Sequence, residues 1–159
     1  MRRLAPIALL IALLDQLTKL WVMRWLDPDL PVTVIDGFFW LVNWGNTGAA
    51  WGLFQNSNLI LAGISVITLV VICIFHRSFQ IHLLGNQIAL GLITGGIIGN
   101  VVDRFRYGHV VDFLDFAIRG HHWPAFNVAD SAICVGVGIY LLVTWRDDHR
   151  PPQDAASVV

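Results

Sequence analysis

Four long apolar stretches constrain the fold of this chain more than any other feature. A transmembrane helix needs about 20 mostly apolar residues, and the stretches that meet this requirement cover residues 4–26, 59–75, 83–102 and 126–145. Charged residues make up only 13% of the 159 residues, about half of their usual share in a soluble domain. The sequence therefore predicts one membrane-embedded all-α domain over residues 1–159, with four transmembrane helices.

The first apolar stretch also has features of a cleavable signal peptide, because Arg2 and Arg3 precede it. Against cleavage, no A-x-A-like site follows, and the apolar run resumes beyond Lys19. A retained helix is the better interpretation. At the other end, residues 147–159 contain Pro151 and Pro152 and are expected to form a disordered tail.

A small β-element is expected between the first two helices. Asp36-Gly37 separates the β-rich runs 31–35 and 38–42, which is a strong hairpin signal. The element is too small to be a separate domain. Residues 103–125, between the third and fourth helices, are expected to form an irregular loop.

The distribution of basic residues and tryptophan predicts the topology. The loop over residues 27–58 contains no Lys or Arg, which favours the outer side of the membrane and places both termini in the cytoplasm. In this topology six tryptophans cluster toward the outer face, and their preference for the interfacial zone indicates a surface-lying element there. They are Trp21, Trp25, Trp40, Trp44, Trp51 and Trp123.

Glycines in the third helix indicate close helix packing. Gly91, Gly95 and Gly99 recur at a spacing of four, which lets helix backbones approach closely in lipid. Such packing suits a bundle within one chain as well as a dimer, and a monomer is expected. Cys73 and Cys134 fall in apolar runs without neighbouring metal ligands, as small buried apolar residues do.

All 11 acidic residues are Asp, and five of them lie in or beside apolar segments, where charge is costly. They are Asp15, Asp103, Asp112, Asp115 and Asp130. Asp15 precedes Lys19 by four residues, so the two share one helix face in the favourable orientation. They form either a structural ion pair or a pair with a direct role in the site.

Asp112 and Asp130 have the surroundings of an acid/base pair. Asp112 is flanked by apolar residues, and desolvation raises a carboxyl pKa as a general acid requires. Asn127 and Asp130 have the spacing of a capping box, which would give Asp130 a purely structural role. However, a helix N-terminus also favours the ionised carboxylate. Two carboxyls whose pKa values are shifted apart in this way can act as the acid/base pair of an aspartic protease.

Other chemistries fit the sequence less well. A metal site could be imagined from residues that include an irregular loop, but no H-E-x-x-H motif is present. These residues are His109, Asp112, Asp115, His121 and His122. No serine lies in a Gly-x-Ser-x-Gly setting. The net charge of −1 gives no basic surface for nucleic acid. We expect neither a metal nor an organic cofactor.

Five blocks together resemble the lipoprotein signal peptidase (signal peptidase II) family, in family order and at family-like spacing. The blocks are Asp15-Gln16-Leu17-Thr18-Lys19, Asn46-Thr47-Gly48-Ala49-Ala50-Trp51, Gly99-Asn100-Val101-Val102-Asp103-Arg104, Gly108-His109-Val110-Val111-Asp112-Phe113 and Phe126-Asn127-Val128-Ala129-Asp130-Ser131. One departure is Trp51, where a Phe is common.

The resemblance implies an aspartic endopeptidase of the bacterial inner membrane, with its active site near the periplasmic face. Its substrates would be prolipoproteins that carry diacylglycerol on a Cys, and cleavage would fall on the N-terminal side of that Cys. The resemblance also implies a periplasmic β-cradle, membrane lipid as a partner and sensitivity to globomycin.

The family's catalytic pair maps to Asp112 and Asp130. Its supporting polar positions map to Asp15, Lys19, Asn46, Gly48, Asn100, Asp103, Arg104 and Asn127. Arg104 can pair with a carboxylate, although the polar residues around it could also simply terminate the third helix at the membrane interface. Asp115 lies outside the motif and receives no role.

One alternative comes from another functional class. A small proton-coupled transporter or channel would use intramembrane Asp residues as relay groups. It predicts acids spread across the membrane depth, whereas all but Asp15 gather at one end of the predicted helices.

Overall fold

Four helices are long and apolar enough to cross a membrane in the part of the chain that the computed structural model describes, residues 3–49 and 53–149. The helices are α1 (Leu4–Trp25), α2 (Asn58–Phe75), α3 (Leu84–Tyr107) and α4 (Val128–Asp148), and a 3-10 turn over His76–Phe79 follows α2. The four predicted transmembrane helices are thereby confirmed.

The ends of α3 and α4 differ from the prediction. α3 continues five residues beyond residue 102, so Asp103 and Arg104 are helical, and it ends at Gly108, whose φ of 77° is left-handed. Glycine adopts this conformation at little cost and commonly ends helices. α4 includes Asp147 and Asp148, so the predicted disordered tail begins too early. Its residues from 150 onward, like Trp51 and Arg2, lie outside the described residues.

A four-stranded antiparallel sheet has the order β1-β2-β3-β4, with strands Val32–Ile35, Phe39–Asn46, Val110–Ile118 and His121–His122. The predicted hairpin is present, since β1 pairs with β2 across the turn at Asp36-Gly37, where Gly37 has a φ of 70°.

The sheet is larger than predicted, because β3 and β4 come from the region expected to be an irregular loop. The β3 segment is rich in β-branched and aromatic residues, which favour strands. Its buried Val111 and Phe113 pack against Val22 of α1. This contact attaches the sheet to the helix bundle.

α3 lies at the centre of the bundle and contacts the other three helices. A Cβ on Gly95 would lie 2.6 Å from the Ala8 carbonyl oxygen of α1, and a Cβ on Gly96 would collide with the Ala129 carbonyl of α4. The glycines therefore allow close packing on two sides within one chain. Cys73 and Cys134, predicted to be buried, are instead exposed.

Candidate active site

Asp112 lies on β3, opposite Trp44 of β2, and its side chain is only 3% exposed. The Asn46 amide donates to Asp112 Oδ2 at 2.9 Å, and the Asn127 amide donates to Oδ1 at 2.8 Å. Both carboxyl oxygens are thus held by neutral donors from different elements. This arrangement fixes the position of the carboxyl without supplying a counter-charge.

Asp130 lies in the first turn of α4 and forms the predicted capping box. Its backbone N–H donates to Asn127 Oδ1 at 3.0 Å, and its Oδ2 accepts the Asn127 backbone N–H at 3.3 Å. The Asn100 amide donates to the remaining oxygen, Oδ1, at 2.7 Å. Capping therefore leaves Asp130 connected to Asp112, because Asn127 contacts both carboxyls.

The pKa of Asp112 is raised from 3.8 to about 7. Burial has the largest effect, and the negative charge of Asp130 raises the pKa further. Hydrogen bonds from Asn46 and Asn127 and the charge of Lys19 act in the opposite direction. Near neutral pH, Asp112 can therefore carry a proton, as a general acid requires.

Both carboxyls line a cavity of about 430 Å³. Asn46, Gly48, Asn100 and Arg104 supply its other main polar groups, whereas the remaining wall is largely apolar. That wall includes Val110, Trp123, Pro124, Ala125, Phe126 and Ile133. The cavity has the character of a ligand site, in which a few convergent polar groups face an apolar wall.

A buried ion cluster of Asp15, Lys19 and Asp103 lies beside these carboxyls. Lys19 Nζ is 2.8 Å from Asp15 Oδ2 and 2.7 Å from Asp103 Oδ2, and each side chain is at most 1% exposed. The predicted Asp15–Lys19 pair is present, and Asp103 is a third member that the sequence did not reveal. Gly99 leaves room for Asp15, because a Cβ there would collide with the carboxylate.

The ion cluster is attached to the elements that carry the two catalytic candidates. Asp15 Oδ1 accepts the Ala129 backbone N–H of α4 at 2.9 Å, and Asp103 Oδ2 accepts the Val111 N–H of β3 at 3.2 Å. Lys19 also donates to Asn100 Oδ1 at 3.0 Å. The cluster therefore helps to set where α4 and β3 stand relative to each other.

Arg104, which the sequence allowed to pair with a carboxylate, forms no salt bridge with one among the described residues. Its guanidinium donates to the Gly48 carbonyl at 2.9 Å and to Asn58 Oδ1 at 3.2 Å. The Gly48 N–H donates to Asn46 Oδ1 at 2.9 Å. Arg104 therefore holds the segment after β2 against the end of α3. With these contacts, the structure brings all ten predicted site residues into one region.

Two polar residues near this region, Gln16 and Asn58, received no role from the sequence, and His122 was considered only as a member of a metal site. Gln16 donates to Asp103 Oδ1 at 2.8 Å, and Asn58 contacts Arg104. His122 Nδ1 lies 2.9 Å from Asp115 Oδ2. The position of Gln16 next to Asp15, and that of Asn58 at the start of an apolar helix, were the available signals. Among residues 3–49 and 53–149, no group of three or more His, Cys or Asp could hold a metal ion.

The fold and the site together define a multi-pass membrane protein with paired carboxyls at a cavity beside its sheet. The sequence model of the signal peptidase (SPase) II family matches residues 7–146. The chain belongs to this family and is a peptidase. This membership favours the peptidase interpretation over the transporter.

Curated relatives cover almost the whole chain. The chain is 44% identical to the lipoprotein signal peptidase of Syntrophotalea carbinolica, over 94% of each chain. It is 42% identical to that of Oleidesulfovibrio alaskensis, over 88% of this chain and 92% of the relative.

A solved structure agrees with this assignment. A bacterial membrane enzyme solved by the in meso method at 2.3 Å resolution superimposes with a TM-score of 0.84 at 30% identity, covering 93% of this chain and 90% of the other.

Proposed function

We propose that this protein is an aspartic endopeptidase that removes signal peptides from diacylglyceryl-modified bacterial prolipoproteins, cleaving on the N-terminal side of the lipidated Cys. Asp112 and Asp130 form its catalytic dyad. The observation that carries the proposal is that two carboxyls from β3 and α4, both bound by Asn127, line one cavity, and neither forms a salt bridge with a Lys or Arg of the described residues.

The dyad shares one proton and holds a water molecule for attack on the peptide bond. The ionised carboxylate takes a proton from this water as its oxygen adds to the scissile carbonyl carbon. The protonated carboxyl donates to the developing oxyanion. When the C–N bond breaks, a dyad proton passes to the leaving amine. The pair titrates as a unit, so the reaction needs one proton per dyad rather than a proton on a particular Asp.

Amide side chains orient the dyad for this reaction. Asn46 and Asn127 bind Asp112, whereas Asn100 binds Asp130. Because Lys19 donates to the Asn100 carbonyl oxygen, the Asn100 amide nitrogen faces Asp130. Removing any of these amides would leave a carboxyl less well positioned.

The substrate class is supported by the relatives and by the cavity wall. The matched relatives are named lipoprotein signal peptidases. Cleavage next to a lipidated residue requires a site that accepts apolar groups close to the membrane. The apolar wall meets this requirement, and the cavity lies where α3 ends and α4 begins.

The direct test uses purified protein with a lipidated prolipoprotein and with the same precursor lacking diacylglycerol. We expect a shorter product from the lipidated precursor and little from the other, because the acyl chains anchor the substrate at the membrane surface. Comparable turnover of the two precursors would contradict the proposed substrate class.

The proposal includes a location in the bacterial inner membrane, with both termini in the cytoplasm and the active site on the periplasmic side. The absence of Lys and Arg from residues 27–58 supports this topology. A Cys placed at Asn56, with Cys73 and Cys134 replaced by Ala, should react with an impermeant thiol reagent in intact spheroplasts. Labelling only after lysis would contradict the proposed topology and place residue 56 on the cytoplasmic side.

A further inference from the structure

One face of β3 leads away from the dyad cavity. Side chains two residues apart on a strand point to the same side, so Asp112 shares its face with Leu114, Phe116 and Ile118. Farther along β3 from Asp112, Phe116 and Ile118 of this face line a second depression in the surface. Its walls include Phe38, Phe116, Ile118, His122, Trp123 and Phe126. We call this depression the aromatic groove.

The aromatic groove is open, with a volume of about 600 Å³. Phe116 forms its floor, since its ring stacks on that of Phe126 with centroids 5.8 Å apart and meets the edge of Phe38 at 5.5 Å. Trp123 and Phe126 line both the groove and the dyad cavity. The two sites are therefore adjacent, and a single extended ligand can occupy both.

We propose that the aromatic groove binds the polypeptide segment of the substrate that follows the scissile bond, a role that rests on the proposed function. β3 and β4 lie between the end of α3 at Tyr107 and the start of α4 at Val128, outside the four membrane-length helices. The apolar part of a signal peptide and acyl chains both partition into hydrocarbon. The mature chain must leave toward water, and the groove is formed by residues outside the four membrane-length helices.

The spacing along β3 specifies which substrate residues reach the groove. At about 3.3 Å per residue, Phe116 lies roughly 13 Å and Ile118 roughly 20 Å along the strand from Asp112. An extended substrate has a similar rise. Residues about four to six positions after the scissile bond therefore reach the aromatic groove.

The chemistry of the groove predicts a preference for an uncharged apolar side chain at these positions. None of the described residues that line it is Asp, Lys or Arg. The polar groups are His121 and His122, and His122 is already engaged with Asp115. A charged side chain placed on the aromatic floor would lose hydration without gaining a counter-charge.

Kinetics with matched substrates test the groove. Two lipidated prolipoproteins would differ only at residues four to six after the scissile bond, with Leu in one and Ser in the other. Ile118 is 69% exposed, so Ile118→Ser can be made without opening the core. We expect Ile118→Ser to lower kcat/KM for the Leu substrate about tenfold, mainly through KM, the size expected for one lost apolar contact.

The Ser substrate should be cleaved equally well by the parent and by Ile118→Ser. Val34→Ser is the matched control, because Val34 is a 50% exposed residue of β1 that does not line the groove. It should leave both substrates unaffected. Equal losses for the two substrates with Ile118→Ser, or no loss for either, would overturn the assignment.

Disulfide trapping provides a second readout, using Ile118→Cys in a chain that carries Asp112→Asn and has Cys73 and Cys134 replaced by Ala. We expect a cross-link to a lipidated precursor with a Cys five residues after the scissile bond. A precursor with a Cys in its signal peptide should not cross-link. Cross-linking to the Cys in the signal peptide, or no cross-linking to the Cys after the scissile bond, would contradict the proposed role of the aromatic groove. The proposed function fails separately if the parent chain releases no shorter product.

Discussion

Two groups of buried aspartates lie side by side in this protein and differ in their partners. In the ion cluster, Asp15 and Asp103 share the ammonium of Lys19. In the proposed dyad, Asp112 and Asp130 are bound by neutral amides and face a cavity. Residues of one type therefore have a cation as partner in one group and amides in the other, and we expect a structural role for the first group and a chemical role for the second.

The physical difference between the two groups is neutralisation. A buried carboxylate beside a cation is stabilised as an ion, and removing the cation is strongly destabilising. Amides bind a carboxyl without neutralising it, so burial and a neighbouring carboxyl can raise its pKa. Asp112 has both conditions. The proposed dyad can therefore exchange a proton near neutral pH, whereas the ion cluster connects α1, α3, α4 and β3.

The largest expected effect is the loss of cleavage activity when Asp112 or Asp130 of the proposed dyad is changed. Asp112→Asn or Asp130→Asn should lower the rate of prolipoprotein cleavage by at least about 10²–10⁴-fold, because the proton transfers are lost. Each variant should still accumulate in the membrane, since Asn nearly preserves the shape of Asp. Cleavage rates per folded protein measure the effect.

Asp130→Asn also tests whether Asp130 only caps α4. Loss of the cap alone would cost about 1 kcal/mol of stability and leave the specific activity close to that of the parent. An active, less stable Asp130→Asn protein would assign Asp130 to the structural group.

The ion cluster should respond mainly in stability. Lys19→Met leaves two buried carboxylates without a cation and should cost about 3–5 kcal/mol. Asp15→Asn should cost less, because the Lys19–Asp103 pair remains. Thermal unfolding of the purified variants in one detergent compares them.

A neutral cluster provides the control for this prediction. Asp15→Asn, Lys19→Met and Asp103→Asn together should recover part of the stability that Lys19→Met loses. If Lys19→Met unfolded at the temperature of the parent, the structural role of the cluster would be wrong.

The pH dependence of cleavage should show a smaller effect. Because the pKa of Asp112 is about 7, the dyad loses its remaining proton as the pH rises through about 7, and kcat/KM should fall there. The Asn46 hydrogen bond lowers this pKa, so Asn46→Ala should move the alkaline limb to higher pH. If the alkaline limb stayed in place or moved to lower pH, Asp112 would not be the group whose titration lowers kcat/KM.

The smallest effect is expected at Asp115, which lies on β3 but outside both groups. Its contact is His122, and neither residue lines the dyad cavity. Asp115→Asn should retain most of the parent's cleavage rate in the same assay as Asp112→Asn. A loss comparable to that of Asp112→Asn would extend the dyad to a third carboxyl.

The sequence predicted the features that depend on local pattern. The length of the apolar stretches predicted the four helices, and Asp36-Gly37 predicted the hairpin. The spacing of Asn127 and Asp130 predicted the capping box. The i,i+4 spacing of Asp15 and Lys19 gave one contact of the ion cluster.

Features that depend on distant contacts were missed. β3 was predicted to be an irregular loop, and the side chains that bind its buried Asp112 are distant in the sequence, Asn46 of β2 and Asn127 before α4. The third member of the ion cluster, Asp103, comes from another helix. Asn58, the partner of Arg104, also comes from a different helix than Arg104. Such pairings follow from how the helices pack, which a single sequence does not specify.

The most direct test of the central claim compares Asp112→Asn, Asp130→Asn and the double variant in one cleavage assay with a lipidated prolipoprotein. Residues that act as one catalytic unit are strongly non-additive. We therefore expect the double variant to be hardly slower than either single variant. Near-normal cleavage by either folded single variant, or losses that multiply in the double variant, would contradict the dyad.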